Sequence, residues 1–183
     1  MQNGPEKQKF GEPLEDFSLP DLNGKVVSLS QSIAAKKAGV VVFWSGVCSH
    51  CVRYADYLNA FETTNPDIAL IALASRHGET VVDIKKAVAE QNLRFRILRD
   101  EGGVIAKNWY TQQTPRAFLM DAGRSLVYRG AIDNFKYADQ AQYIPYLDTA
   151  IAQFMKGEPV TKPETASFGC AIQSVYYVLP RAL

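Results

Sequence analysis

Cys48 and Cys51, the ends of the run Cys48-Ser49-His50-Cys51, are the residues of this 183-residue chain whose type and spacing carry the clearest chemistry. Two thiols set two residues apart can close into a disulfide with each other and open again. A structural zinc site would need a second ligand pair at matching spacing, and the third cysteine, Cys170, stands alone far along the chain, so no metal is expected. Three cysteines are also too few for a disulfide scaffold. If the pair opens a helix, the first sulfur lies beside unpaired backbone N–H groups and the positive end of the helix dipole, which favours its thiolate. Cys48 is then the nucleophile, and Cys51, one turn on and more sheltered, resolves the mixed disulfide that Cys48 forms. His50, as an imidazole between them, can lower the Cys48 pKa and stabilise the reduced form, which makes the disulfide more oxidising. No dissociable cofactor is required, because the Cys48–Cys51 disulfide would itself carry the electrons.

The elements around the pair suit that placement. Gly39-Val40-Val41-Val42-Phe43-Trp44 is a continuous β-branched and aromatic run, the pattern of a strand buried on both faces in a parallel sheet. After the cysteines, Val52, Ala55, Leu58 and Phe61 recur at helical spacing up to Thr63-Thr64-Asn65-Pro66. Upstream, Phe17 to Leu29 alternates around Asn23-Gly24, which predicts a hairpin. Downstream, Ile68 to Leu73 predicts a buried strand, and Val81, Ile84 and Val88 a helix starting near Glu79. Phe95 to Leu98 predicts a short strand, and Val104 to Trp109 a brief helix after Gly102-Gly103. Thr114-Pro115 opens a second hairpin, Ala117–Met120 and Ser125–Gly130 around a turn holding Gly123, and Ile144, Leu147, Ile151 and Phe154 mark a last helix ending before Gly157. Strands alternating with helices and closed by a hairpin make the chain α/β.

Residues 1–156 therefore read as one domain and 157–183 as an extended tail carrying Cys170. Its connector, Glu158 to Thr165, has two prolines and little to bury. Extended, the stretch from Gly157 to Cys170 reaches about 40 Å, against a radius of gyration of roughly 15 Å for a domain this size, so the tail can return to Cys48. Val175-Tyr176-Tyr177-Val178-Leu179 is apolar enough to need burial on the body or on another protomer. Formal charge is +1 with neither sign in a long block, which gives no footprint for nucleic acid. No apolar run approaches the ~20 residues of a membrane span, and Met1 to Phe10 is too polar to read as a signal peptide. Proteins and small molecules remain as partners. The oligomeric state is not legible.

Val42 to Cys51 resembles the strand and active-site turn of thioredoxin-like proteins, especially the TlpA/ResA-like redoxins of the AhpC/TSA-redoxin superfamily. The resemblance runs over roughly residues 11 to 156 and takes in the hairpin, the inserted βα unit around Ile68 to Gln91, and Thr114 to Gly123. It implies a three-layer α/β/α sandwich with an N-terminal hairpin, the inserted βα unit and the extended C-terminal tail. It also implies thiol–disulfide exchange with protein substrates and with a redox donor or acceptor protein, in a bacterial periplasmic or extracytoplasmic setting. Carried over by position, Pro115 would be cis beside the cysteines, and the backbone of Thr114 would bind a substrate strand. Trp44 and Val47 would adjoin the substrate, although Trp44 in its strand also reads as core packing. Two positions depart from the pattern: Val47 stands where Trp is usual, and Val42 where thioredoxin proper has a buried carboxylate. The proton acceptor for Cys51 is thus left open among His50, a water and a carboxylate from the inserted unit.

Thr165 to Ile172 resembles a Thr-x-x-x-Gly-Cys-x-Ile ending of some bacterial redoxins in the alkyl-hydroperoxide-reductase group. Cys170 reads equally as a buried cysteine, a tail thiol or a third redox thiol. His77, in the turn Arg76-His77-Gly78, reads as a solvated loop residue. Two rival functions stand. One is a peroxiredoxin-like peroxidase, since Ser45-x-x-Cys48 mimics a Thr-x-x-Cys peroxide site. Against it, Val41 stands where that group has a proline, and Pro115 where it has an arginine, with Arg116 displaced by one onto the other side of its strand. The other is a thioredoxin-fold binding module that does not turn over its thiols.

Overall fold

The structure is a computed structural model and describes residues 7–135 and 142–172. The first strands, β1 (Ser18–Pro20) and β2 (Val26–Ser28), pair antiparallel. Their turn is closed by the Asp21 carboxylate, which accepts from the amides of Asn23 and Lys25, and by Gly24 at φ +86°. The sequence predicts strand as far as Leu29. Instead Leu29 opens a helix, α1 (Leu29–Ile33), because the Ser28 hydroxyl accepts from the Gln31 amide and caps it while Leu29 and Ile33 turn inward.

Next come β3 (Ala38–Trp44), α2 (Ser49–Val52), α3 (Ala55–Thr64), β4 (Ile68–Ala74) and α4 (Val81–Glu90). These are followed by β5 (Ile97–Arg99), α5 (Val104–Asn108), β6 (Gln113–Thr114), β7 (Arg116–Asp121), β8 (Leu126–Gly130), α6 (Tyr146–Met155) and β9 (Cys170–Ala171). Five strands form one mixed sheet in the order β5-β4-β3-β7-β8, with β3, β4 and β5 mutually parallel and β7 antiparallel to both β3 and β8. All seven residues of β3 and of β4 are buried, so both strands lie in the middle of the molecule and need apolar side chains on both faces.

The period of two in β3 sorts its side chains. Val40, Val42 and Trp44 join the cluster that holds Cys48, Cys51, Leu58, Phe61, Ile84, Leu147 and Ile151, the face covered by α2, α3, α4 and α6. Val41 and Phe43 join the opposite cluster with Leu29, Ile33, Ile105, Phe118 and Trp109. There Trp109 packs against Phe17, Phe43 and Phe118 with ring centroids 5.8, 6.0 and 5.2 Å away. The expected three layers are present.

Two further segments add to the sequence reading. The helix after the cysteines is broken at Arg53-Tyr54, where the Tyr54 hydroxyl reaches across to donate to Asp133 at 2.6 Å. Val52, counted with the apolar stripe, is exposed as a result. The connector is extended as expected, but it is laid on the body: Arg129 donates its amide to Pro163, and Thr165 donates its amide back to Arg129, at 2.9 and 3.1 Å. The apolar segment Val175 to Leu179 lies outside the described residues.

Candidate active site: the cysteine pair and the strand that covers it

Cys48 is the N-cap of α2, and its carbonyl accepts from the amides of Cys51 and Val52 at 2.8 and 3.1 Å. Cys48 and Cys51 are both free thiols and both fully buried. The strand delivers them there: β3 ends at Trp44, and Ser45-Gly46-Val47 turns the chain from the end of that central strand into α2. Gly46 is needed in that turn because a Cβ on it would stand 2.5 Å from the Ala87 Cβ.

The two sulfurs are pushed apart electrostatically. The Cys48 thiol is held well below the ordinary thiol range, first by the hydrogen bond that the Cys51 thiol offers its anion. Burial opposes this, and the Cys170 thiol, the Thr114 side chain and the Cys170 amide add further donors. The Cys51 thiol is raised, first by burial and then by the neighbouring Cys48 anion. The sequence placed this effect on a helix dipole. Cys48 does stand at the start of α2, and thiol and amide donors aimed at the sulfur add to whatever that one-turn helix supplies.

The Thr114–Pro115 peptide is cis, as the resemblance implies, and both residues are buried against the pair. The Cys48 thiol donates to the Thr114 carbonyl at 3.4 Å. The outer edge of β6 is already occupied: β9 pairs with it antiparallel, Gln113 opposite Ala171 and Thr114 opposite Cys170. The Cys170 thiol hydrogen-bonds the Cys48 sulfur and meets the His50 amide. Among the described residues all three cysteines thus gather at one point.

Val47, next to Cys48 in the chain, is exposed. Trp44 is not. It is 1% exposed, and its ring meets Phe95 edge-on at 6.1 Å, the core packing that its place in the strand also predicts. Strand periodicity sends Trp44 inward, to the side of Val42 and Val40. The His50 ring is half-buried and stands edge-on to Phe168 of the tail at 5.0 Å. His77 lies in the exposed turn expected of it.

One functional candidate was legible only as a class. The inserted unit brings a single buried carboxylate under the active-site turn: Glu79 Oε1 accepts from the Gly46 amide at 2.7 Å, and Oε2 is buried without a partner among the described residues. Burial pushes the Glu79 pKa up, against the pull of the Gly46 amide. Its position just before the Thr80 cap of α4 gave no warning of this, since acidic residues are ordinary at helix starts.

A five-stranded mixed sheet with helices on both faces, a cysteine pair where β3 turns into a helix, and a cis-proline facing that pair together define the thioredoxin fold. The chain belongs to the AhpC/TSA family, whose model matches residues 10–129. It is 29% identical over 117 residues to the thiol-disulfide oxidoreductase ResA of Bacillus thuringiensis subsp. konkukian (strain 97-27), a match covering 63% of this chain and 66%, just under two thirds, of that relative. Among solved structures it is similar to a hypothetical protein of Sinorhizobium meliloti 1021, with TM-score 0.82 and 26% identity, covering 95% of this chain and 99% of the other. That coverage is more than residues 1–156 can supply, so the likeness takes in part of the tail. A putative thiol:disulfide interchange protein DsbE from Chlorobium tepidum shares the fold at TM-score 0.59 and 21% identity, over 66% of this chain and 84% of that one.

Proposed function

We propose that this chain is a thiol–disulfide oxidoreductase that exchanges disulfides with protein partners through Cys48 and Cys51. The observation that carries the reading is the opposed chemistry of the two thiols beside the Thr114–Pro115 peptide: a stabilised thiolate at Cys48 and a buried, proton-holding thiol at Cys51. The Cys48 thiolate attacks one sulfur of a partner disulfide; that bond breaks, and the departing partner thiolate takes up a proton. Cys51 then loses its proton and attacks the Cys48 sulfur, releasing the second partner thiolate. The partner gains two electrons and the cysteine pair loses them; oxidation of a partner is the reverse. Glu79 accepts from the Gly46 amide in the active-site turn, and this buried carboxylate of the inserted unit is our candidate acceptor for the Cys51 proton, with His50 a candidate tuning residue. Donors aimed at the Cys48 anion stabilise the reduced protein, which pulls the couple toward the oxidising end. The resemblance to the TlpA/ResA-like redoxins is the ground for expecting a setting outside the cytoplasm and partners that are redox proteins.

The peroxidase reading is weaker. Arg116, the cation that would have to stabilise a peroxide-reacting thiolate, approaches Glu164 at 3.9 Å and lies over the Phe118 ring. The test is to equilibrate the protein against glutathione, trap free thiols by alkylation and map the cysteines by mass spectrometry. A Cys48–Cys51 disulfide with one two-electron transition is expected. A potential near about −270 mV marks a reductant and one near about −120 mV an oxidant. Reduction of insulin disulfides should vanish in Cys48→Ser, and activity surviving that change would sink the proposal.

A further inference from the structure

The tail ending Thr165-x-x-x-Gly169-Cys170-x-Ile172 is built residue by residue to lay Cys170 against Cys48. Thr165 is the anchor. Its hydroxyl meets the Tyr128 hydroxyl at 2.6 Å and accepts from the Ala131 amide at 2.9 Å, in a space that exists because residue 130 is glycine. A Cβ on Gly130 would fall 2.1 Å from the Thr165 hydroxyl, and its φ of +151° is itself unfavourable for other residues. Glu164 fixes the same point by accepting twice from the Arg129 guanidinium at 3.2 Å. Gly169 then lets the tail close on β6: a Cβ there would fall 1.8 Å from the Thr114 carbonyl oxygen. Ile172 ends the run by donating its amide to Gln112 at 2.8 Å and burying its side chain in the cluster that holds Trp109. Between these fixed points Cys170 stands opposite Thr114, on the edge where an incoming strand would have to pair.

We propose that Cys170 is the in-cis exchange partner of Cys48: the tail docks on β6 as a built-in substrate strand, and the disulfide migrates between Cys48–Cys51 and Cys48–Cys170. The inference rests on the exchange reading of Cys48 and Cys51 and assigns a third thiol to it. In the step, Cys170 loses its proton and attacks the Cys48 sulfur; the Cys48–Cys51 bond breaks, the Cys48–Cys170 bond forms, and Cys51 leaves as a thiolate that takes up a proton. Nothing is oxidised or reduced overall. The consequence is one of access. Cys48 and Cys51 are both buried, whereas Cys170 on the docked strand is part-exposed. A partner thiolate can then attack the Cys170 sulfur with Cys48 as leaving group, and a low-pKa thiol leaves fastest. Electrons thus enter or leave without the groove being emptied.

The experiment uses the full chain carrying Cys51→Ser, held at about 10 mM glutathione redox buffer, quenched in acid, alkylated and mapped by mass spectrometry. A loose tether gives an effective concentration only in the millimolar range, so it would compete about evenly with glutathione. A docked Cys170 should give Cys48–Cys170 in at least tenfold excess over the glutathione adduct of Cys48. Adding Gly169→Val, whose side chain cannot fit against Thr114, should remove that excess while leaving the thiol in place. Glutathione on Cys48 with Cys170 free in the Cys51→Ser protein overturns the inference, as does a crosslink indifferent to Gly169→Val. The wild-type chain, mapped in parallel, separates the two readings. Cys48–Cys51 formed there with no Cys48–Cys170 in the variant refutes the tail alone, whereas failure of Cys48 and Cys51 to pair refutes the exchange reading beneath it.

Discussion

At the scale of single residues, the Cys48 sulfur is tuned by its neighbours' donors, and the sign of that tuning fixes a pH dependence. Its pKa is depressed in the folded, reduced protein, so the stabilisation is fully present above the ordinary thiol value of about 8.5 and is lost as pH falls through the folded value. Chemical unfolding of reduced wild type and Cys48→Ser should therefore show a wild-type advantage that grows from pH 5 toward pH 8; a constant difference would contradict the shift. Thiolate absorbance at 240 nm should titrate well below 8.5 in Cys51→Ser, and nearer to it when Gly169→Val is added, because the tail brings two of the donors. Glu79 has the opposite sign. Its pKa is raised, so its contribution is complete below the ordinary carboxylate value and falls away as pH rises through the folded one. Glu79→Gln keeps an acceptor for the Gly46 amide. It should gain stability over wild type as pH rises above about 5 while slowing resolution of a mixed disulfide trapped on Cys48 by about tenfold or more. Unchanged resolution kinetics would leave Glu79 a purely positioning residue.

At the scale of elements, the site depends on contacts between segments far apart in sequence. β3 supplies the ledge, β6 the edge, and the tail fills that edge after being tied to β8 through Thr165. Gly130→Ala attacks that tie with both a clash and a disfavoured φ, and should cost about 1–3 kcal/mol in reversible unfolding. Its second effect should be faster alkylation of Cys48 by iodoacetamide, since the covering strand loses its anchor. Loss of stability without faster alkylation would show that β9 stays in place by its own pairing.

At the scale of the whole molecule, the sheet separates two apolar clusters, and chemistry is confined to one of them. The other is structural. Trp109 fills it against three aromatic rings, so Trp109→Ala should cost about 3–5 kcal/mol in urea unfolding; a loss under 1 kcal/mol would mean the cluster repacks.

Much of this architecture was legible because it is written in local patterns. The unbroken apolar runs of β3 and β4 announce strands buried on both faces, the spacing of Val81, Ile84 and Val88 a helix on that sheet, and Cys48-x-x-Cys51 after a strand a thiol at a helix start. Where reading failed, a particular polar contact had decided. The hairpin stopped short because the Ser28 hydroxyl capped a helix, and the helix after Cys51 broke where Tyr54 turned to Asp133.

The sequence by itself determined the class of the protein and singled out Cys48 and Cys51 as its candidate pair, since the class rests on motifs in chain order and the pair on residues close along the chain. Only the tertiary structure decided that a buried Glu79 lies under the turn, that thiol donors from Cys51 and Cys170 are aimed at the Cys48 sulfur, and that Cys170 arrives opposite Thr114. These outcomes depend on how far apart segments pack. Hydrophobic periodicity records which face of an element is buried, but not which distant polar group it is buried against.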